Sequence, residues 1–240
     1  MNNEFAIPVL GFSTNAYIIV GDRLTLVDPG TPRVVDLAGK AIARTLNRPL
    51  EDVGFVTATH WHVDHIGGLS EVFKRMRADL YLSERIAYHL DQGKRIVYPA
   101  FSRFINMLRN RPDVHVTPPH PSDLLKIDLV GLPLQRGNTV KWKVKGYFKD
   151  ADPLPGHPDW TVIETPGHTP DSVCFWHEKS ATLISGDTIL GGTLGAAPNR
   201  FVWNDDLYAA SLARLRKLNV RHLLPGHGCV LEGTDLLAKL

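Results

Sequence analysis

The chain has 240 residues, of which 43% are hydrophobic and 22% are charged, an ordinary composition for a globular protein with a sizeable core. Its formal net charge of +2 gives no reason to expect nucleic acid or an anionic membrane as the main partner. No apolar run reaches the length of a membrane span, and residues 1–4 lack a basic leader, so we expect a cytoplasmic protein. Cys174 and Cys229 lie in apolar surroundings, and we expect both to be buried free thiols.

Short apolar runs separated by turn residues predict strands at 5–10, 16–20, 24–27, 53–58 and 79–82. Thr31 and Pro32 are typical of a helix start, and this helix is predicted to continue to about residue 46, with another at 67–76. The final third repeats the pattern, with strands at 161–164, 173–176, 182–184 and 221–224 and a helix at 205–218 capped by Asn204. Two strand-rich halves with helices outside predict two facing sheets between helical layers, in one domain covering 1–240.

The stretch 85–159 departs from this rhythm. It contains more Lys and Arg than Asp and Glu, and its second half is rich in Pro and Gly. We predict an insertion there, which forms either a lid or the interface of a homodimer.

The segment His60-Trp61-His62-Val63-Asp64-His65 places four metal-ligating side chains in six residues, directly after a predicted strand. So many imidazoles beside a carboxylate are costly to bury unless a cation lies among them. Three later motifs each add a nitrogen or oxygen ligand beside a Gly or Pro turn: Thr165-Pro166-Gly167-His168-Thr169, Ser185-Gly186-Asp187-Thr188 and Pro225-Gly226-His227-Gly228. The sequence therefore predicts a metalloenzyme.

His60 and His62 are alternate residues at a strand end, so their side chains leave on one face, and His168 can complete a three-imidazole set that suits zinc. Asp64, His65 and His227 are the expected ligands of a second ion. Asp187 is the expected bridge, because a carboxylate can give one oxygen to each of two cations. Two ions about 3.5–4 Å apart can hold a bridging water and lower its pKa from ~15.7 to near neutrality. Zinc is expected, although iron or manganese would also suit these donors.

Two neighbouring features are interpreted as structural. The side chain of Trp61 should point away from those of His60 and His62. The glycine-rich segment 191–195 lacks the Gly-Lys-Ser/Thr of a phosphate-binding loop, and we predict a flexible turn at the edge of the site.

These motifs resemble those of the metallo-β-lactamase superfamily over the whole chain except the insertion. The resemblance implies an α/β fold, a four-layer αββα sandwich with a dinuclear site in a cleft at one edge. It assigns His60, His62 and His168 to the first metal, Asp64, His65 and His227 to the second, and Asp187 to both. It also implies that Asp28, in Val27-Asp28-Pro29-Gly30, supports the metal loop without binding metal, and that Asp64 passes a proton to the leaving group.

Differences between this sequence and individual branches of the superfamily reduce the number of candidate activities. The β-lactamases usually carry a secretion signal and lack the bridging Asp187. Glyoxalase II proteins share the Thr-Pro-Gly-His and Gly-Asp-Thr motifs but continue into a glutathione-binding segment, whereas only a short segment follows His227. Quorum-signal lactonases have a Tyr where this chain has Leu190, and Tyr98 or Tyr208 could replace it in space.

We therefore expect a hydrolase with two zinc ions that cleaves a small ester, thioester or lactone by attack of a metal-bridging hydroxide. The alternatives are a phosphodiester or phosphotriester hydrolase, a mono-iron dioxygenase, and a binding protein without catalysis. The expected partner is a small-molecule substrate, with no nucleic acid and no membrane. The candidate substrate contacts are Tyr98, Phe101, Phe104, His157 and Tyr208.

Overall fold

The architecture follows from a computed structural model, which describes residues 6–11, 14–93, 97–100, 102–103, 105, 121, 123, 126–130, 142–238 and 240, apart from the side chain of Tyr88. Within these ranges the chain forms two six-stranded sheets, a two-stranded hairpin and several helices. No helix in the described part of the chain is long and apolar enough to cross a membrane.

The first sheet is built mainly from the amino-terminal half of the chain. Its strands, in spatial order, are β1 (Ala6–Leu10), β2 (Asn15–Ile19), β3 (Leu24–Val27), β4 (Val53–Thr57), β5 (Asp79–Ser83) and β6 (Val144–Phe148). The pairs β1–β2 and β2–β3 are antiparallel, and the strands from β3 to β6 run parallel to one another. The carboxyl ends of β3 and β4 therefore lie side by side.

The helices that follow these strands connect and cover the sheet. They are α1 (Pro32–Ala41) with a π-helical turn (Ile42–Leu46), a 3-10 turn (Leu50–Asp52), α2 (Val63–Ile66), α3 (Leu69–Arg75) and α4 (Glu84–Gln92). Pro32 occupies the first turn of α1 as predicted, where its missing N–H costs no helical hydrogen bond.

The second sheet belongs to the carboxyl-terminal half. Its spatial order is β14 (Leu231–Glu232), β13 (His222–Pro225), β10 (Thr182–Gly186), β9 (Val173–His177), β8 (His157–Glu164) and β7 (Pro153–Leu154). A separate hairpin consists of β11 (Ile189–Gly192) and β12 (Gly195–Pro198). Helix α5 (Asp205–Leu215) begins where the Asn204 side chain accepts a hydrogen bond from the Leu207 N–H, as the sequence predicts.

Alternation of side chains along the strands creates three apolar layers. In β2, Tyr17 and Ile19 pack between the two sheets, whereas Ile18 faces the cluster under the helices of the first half. In β10, Ile184 lies between the sheets and Leu183 packs toward α5. The helix–sheet–sheet–helix order confirms the predicted αββα sandwich.

Three expectations are wrong in detail. The strands β6, β7 and the first half of β8 lie inside the stretch predicted as an insertion, so that stretch is not one continuous excursion. Exposed charge on β6, such as that of Lys145, is typical of an edge strand and weakened its apolar signal. The segment 191–195 contains the predicted turn at 193–194, but its other residues belong to strands β11 and β12. Both cysteines are free, but only Cys174 is buried and Cys229 is exposed.

Candidate metal centre

The segment between β4 and α2 carries the first four predicted ligands. His62 has extended backbone angles (φ −99°, ψ 148°) and precedes the first turn of α2, which carries Asp64 and His65. Trp61 is 2% exposed and belongs to the apolar core under the helices, in agreement with its structural interpretation. The buried carboxylate of Asp171 accepts a hydrogen bond from the Trp61 N–H at 2.9 Å, which ties this segment to the second half of the chain.

Three imidazoles meet on one side of the cluster. The Nε2 atom of His168 lies 3.3 Å from Nε2 of His60 and 3.3 Å from Nδ1 of His62. All three rings are buried, with at most 5% exposed. A group of three nitrogen donors within reach of a single point can hold one metal ion.

A second group lies on the other side. The Nε2 atom of His227 is 3.3 Å from Oδ2 of Asp64, and Nε2 of His65 is 4.0 Å from the same oxygen. The ligand atoms of Asp64, His65 and His227 all lie within 4.8 Å of one another. Asp64 is the more open member, with 30% of its side chain exposed.

Asp187 lies between the two groups. Its Oδ2 atom is 3.5 Å from Nε2 of His168 and 3.4 Å from Nε2 of His227, and its Oδ1 atom is 3.3 Å from Nε2 of His65. Gly226 makes this approach possible, because a Cβ atom there would lie 2.5 Å from Oδ1 of Asp187. The structure thus brings all seven predicted ligands together, with the carboxylate of Asp187 adjoining both groups.

The donor set fits divalent metal ions. The buried Oδ1 of Asp187 and Nε2 of His65 lie 3.3 Å apart but form no hydrogen bond with each other or with any other described residue, although buried polar atoms are nearly always partnered. Imidazole nitrogens and carboxylate oxygens are ligands that zinc, iron and manganese all accept. A cation would satisfy both atoms.

The charges of the cluster favour a cation as well. Burial opposes the charged form of His227, but the carboxylates of Asp187 and Asp64 outweigh it and raise the pKa of His227 to about 10. Burial and the neighbouring His65 hold the pKa of His60 well below its usual range. Although burial works in the opposite direction, His65 and His227 lower the pKa of Asp64. The carboxylates therefore remain ionised and the His60 ring neutral, as metal binding requires, whereas His227 carries a proton that a metal ion would displace.

Asp28 lies behind the ligands, at the end of β3. It accepts hydrogen bonds from the N–H and the hydroxyl of Thr59, at 2.7 and 2.8 Å, and its Oδ2 atom lies 3.1 Å from Nδ1 of His65. Asp28 thus contacts the segment that carries the first four predicted ligands from behind. This is the supporting position that the resemblance implies for it.

The candidate substrate contacts divide into three groups. Tyr98 is half-buried and its ring stacks on His62, with ring centroids 4.2 Å apart and planes 19° from parallel. Phe101 and Phe104 lie outside the described residues. Neither His157 nor Tyr208 is in a position to contact a substrate at the cluster.

His157 opens strand β8, and its ring approaches Gly21, where a Cβ atom would lie 2.9 Å from the ring. His168 follows the other end of that eight-residue strand, about 20 Å or more away at 3.3 Å per residue. The expected substrate contact of His157 is therefore wrong, because its strand starts four residues earlier than predicted.

Tyr208 is 7% exposed and packs with the apolar residues around α5. Its hydroxyl donates to the Thr188 carbonyl and accepts from the Asn199 N–H, both at 2.6 Å. The hydroxyl is engaged by two backbone groups, so the structure gives no support to the expected substrate contact of Tyr208.

Several residues near the ligands were not identified from the sequence. Asn15 donates to the carbonyls of Pro225 and Gly228, both at 3.0 Å, on either side of His227. The Tyr17 hydroxyl also donates to the Pro225 carbonyl, at 2.6 Å. An asparagine at the start of a buried strand is a weak signal of such a role, since a buried amide needs partners.

Comparison with known proteins agrees with this architecture. The family model described as the metallo-beta-lactamase superfamily matches residues 9–227, and the chain belongs to that superfamily. A metallo-beta-lactamase family protein from Thermus thermophilus superposes with a TM-score of 0.61 at 21% identity, over 98% of this chain and 76% of that one. This likeness concerns the fold alone.

Two relatives bear on the chemistry. The chain is 29% identical over 228 residues to the probable metallo-hydrolase YqjP of Bacillus subtilis, covering 88% of this chain and 66% of that protein. It is 27% identical over 225 residues to an atrochrysone carboxyl ACP thioesterase of Aspergillus fumigatus, covering 91% of this chain and 52% of that protein. The chain thus spans less than two thirds of the length of either relative. Family and relatives together support a metal-dependent hydrolase.

Proposed function

We propose that this protein is a dinuclear zinc hydrolase that cleaves a small-molecule ester, thioester or lactone, with a thioester as the leading candidate. The observation that carries the proposal is the position of Asp187, whose oxygens lie within 3.5 Å of a nitrogen in each ligand group. A carboxylate shared in this way suits two ions rather than one. The thioesterase among the relatives favours an acyl substrate.

In this proposal His60, His62 and His168 hold one ion, Asp64, His65 and His227 hold the other, and Asp187 binds both. When bound, such ions lower the pKa of a water molecule to near neutrality and polarise the carbonyl under attack. The chain supplies the charge that retains the ions and the burial that excludes competing water.

Asp64 is suited to move a proton. It is the most open member of its group, with 30% of its side chain exposed, and Oδ2 of its carboxylate is the atom that can receive a proton. A water-derived hydroxide forms a new C–O bond to the carbonyl carbon, the proton given up by that water goes to Asp64, and the C–S or C–O bond to the leaving group breaks. Asp64 can then return the proton to the sulfur or oxygen that departs.

Tyr98 provides one wall of the proposed substrate site through its stack on His62. Burial raises the pKa of its hydroxyl, so the group stays protonated at neutral pH. We propose that this neutral aromatic wall contacts the acyl part of the substrate. Part of the predicted insertion, including Phe101 and Phe104, lies outside the described residues, and the homodimer interface there stays a prediction.

The test combines metal analysis of the purified protein with a panel of thioester, lactone, aryl ester and phosphodiester substrates. Two zinc ions per chain and turnover of an acyl substrate are expected. Turnover of the phosphodiester alone would contradict an acyl substrate and favour the alternative of a phosphodiester hydrolase. One iron per chain, or neither metal nor turnover, would contradict the proposal.

The matched variants Tyr98→Phe and Tyr98→Ala test the wall. Phenylalanine keeps the ring on His62 and should leave KM within about threefold, whereas alanine removes it and should raise KM by about tenfold. Equal KM values for both variants would rule out Tyr98 as a substrate contact.

A further inference from the structure

Asn199 follows the β11–β12 hairpin and is 3% exposed, and both ends of its side-chain amide are engaged. Its Nδ2 group donates to the Asp187 carbonyl at 2.8 Å, and its Oδ1 atom accepts from the Phe201 N–H at 2.8 Å. The buried side-chain amide of Asn199 therefore joins the Asp187 carbonyl to the Phe201 N–H.

The backbone of Phe201 also contacts a second predicted ligand, His168. Its carbonyl lies 2.5 Å from Nδ1 of His168. A carbonyl oxygen only accepts hydrogen bonds, so Nδ1 is the protonated nitrogen of this ring. The Nε2 lone pair is then directed at His60 and His62, in the tautomer that binds metal. Nδ2 of Asn199 also lies 3.3 Å from Nδ1 of His168, but two donors meet there, so the Asp187 carbonyl is its acceptor.

Tyr208 fixes Asn199 from the opposite side. Its hydroxyl accepts from the Asn199 N–H and donates to the carbonyl of Thr188, the residue after Asp187. The turn before His168 also packs tightly on it, because a Cβ atom at Gly167 would lie 2.4 Å from Cα of Tyr208. One buried hydroxyl thus holds both the Asp187 segment and the Asn199 segment.

We propose that Asn199 and Tyr208 are positioning residues that keep Asp187 and His168 in the mutual arrangement that metal binding needs. Neither residue touches a metal or a substrate in this role. Asn199 holds Asp187 by a direct hydrogen bond and holds His168 through the backbone of Phe201. Tyr208 contributes through its hydrogen bonds to Asn199 and Thr188. The inference rests on the proposed metal-binding function, and it adds two residues to which no ligand role is assigned.

The experiment strips the full chain of metal with a chelator and titrates it with Co²⁺, which is followed by calorimetry and by visible absorption. Asn199→Asp keeps the size of the side chain and the acceptor for Phe201 but loses the donor to Asp187. Its Co²⁺ affinity should fall by about 10- to 100-fold, with a changed absorption spectrum. Tyr208→Phe loses only the hydroxyl, and a fall of about 3- to 10-fold is expected.

Ser180→Ala is the matched control. Its hydroxyl also makes two short hydrogen bonds, to His177 at 2.6 Å and Thr182 at 2.7 Å, in the turn between β9 and β10, at the end of β10 opposite Asp187. The metal-free control should lose thermal stability much as Tyr208→Phe does, yet bind Co²⁺ like the unmodified chain.

The results separate the two proposals. If the unmodified chain binds Co²⁺ and both variants match it in affinity and spectrum, the positioning role is overturned while the metal site stands. If the unmodified chain binds no Co²⁺, the proposed function and the inference fail together. The ¹⁵N signals of the His168 ring give an independent readout, and protonation at Nε2 in the unmodified chain would also contradict the inference.

Discussion

The ring of His65 lies between two carboxylates: Oδ2 of Asp28 is 3.1 Å from its Nδ1 atom, and Oδ1 of Asp187 is 3.3 Å from its Nε2 atom. The first carboxylate favours a proton on Nδ1, which leaves Nε2 as the atom that faces the cluster. Asp28 can hold this position because its backbone adopts a positive φ of 52° at the end of β3. The orientation of a predicted ligand is thus set from the neighbouring strand.

Asp28→Asn should weaken metal binding by the group that contains His65. The N–H and hydroxyl of Thr59 and the Nδ1 atom of His65 all need an acceptor there, and an amide replaces one acceptor oxygen by a donor. A loss of affinity of about 10- to 100-fold for one of two ions is expected in a Co²⁺ titration. Asp36→Asn, on the exposed surface of α1, is the control. Two unchanged affinities would contradict the role of Asp28.

Asp187→Ala should reduce the metal content from two ions to one or fewer per chain, because the carboxylate that adjoins both groups is lost. Turnover should fall by roughly 100-fold or more, the scale seen when a major electrostatic contributor of an active site is removed. Metal analysis and initial rates on the best substrate of the panel measure both effects. A variant with full turnover would show that Asp187 is not a bridge.

Gly226→Ala should destabilise the fold and disturb the cluster. The new Cβ atom would lie 2.5 Å from Oδ1 of Asp187 and 2.7 Å from Cε1 of His65, an overpacking that costs about 1–3 kcal/mol. Gly39→Ala in α1 is the matched control, since its Cβ atom would meet Leu50 at an ordinary 3.5 Å. Helix propensity should make that variant more stable, by about 0.5–1 kcal/mol. Urea unfolding of both variants would reveal whether the signs differ as expected.

His157 should make stability depend on pH. Burial lowers its folded-state pKa to about 4, whereas the unfolded value is about 6.5. Between these values the unfolded chain binds the proton more readily, so His157 destabilises the fold progressively as pH falls from 6.5 to 4 and has no such effect above that window. The expected cost at pH 5 is about 1 kcal/mol after a discount for solvent screening.

The measurement compares the unmodified chain with His157→Gln in urea at pH 7 and pH 5. The difference in unfolding free energy between the two proteins should shift in favour of the variant at pH 5. A difference that is independent of pH would mean that the ring is protonated equally well in both states.

The sequence predicts which side chains cluster for a simple physical reason. Each lies next to a turn at a strand end, and the cost of burying His and Asp without a cation is visible in the residues themselves. The roles of Asn199 and Tyr208 escape such reasoning, because they act through hydrogen bonds to backbone groups that the fold alone brings near. His157 was misassigned since its distance from His168 depends on where β8 begins, and strand ends are the least certain part of a pattern.

Asn15 and Pro225 are joined by a hydrogen bond although 210 positions separate them in the chain. The turn with His227 is therefore held by a strand that is synthesised about 210 residues before it. During synthesis, His60, His62 and His65 are made before the predicted ligands of the second half, His168, Asp187 and His227. A complete site forms only once the two halves have packed against each other. The proposed metal ions can therefore meet their complete ligand set only after this domain has been translated.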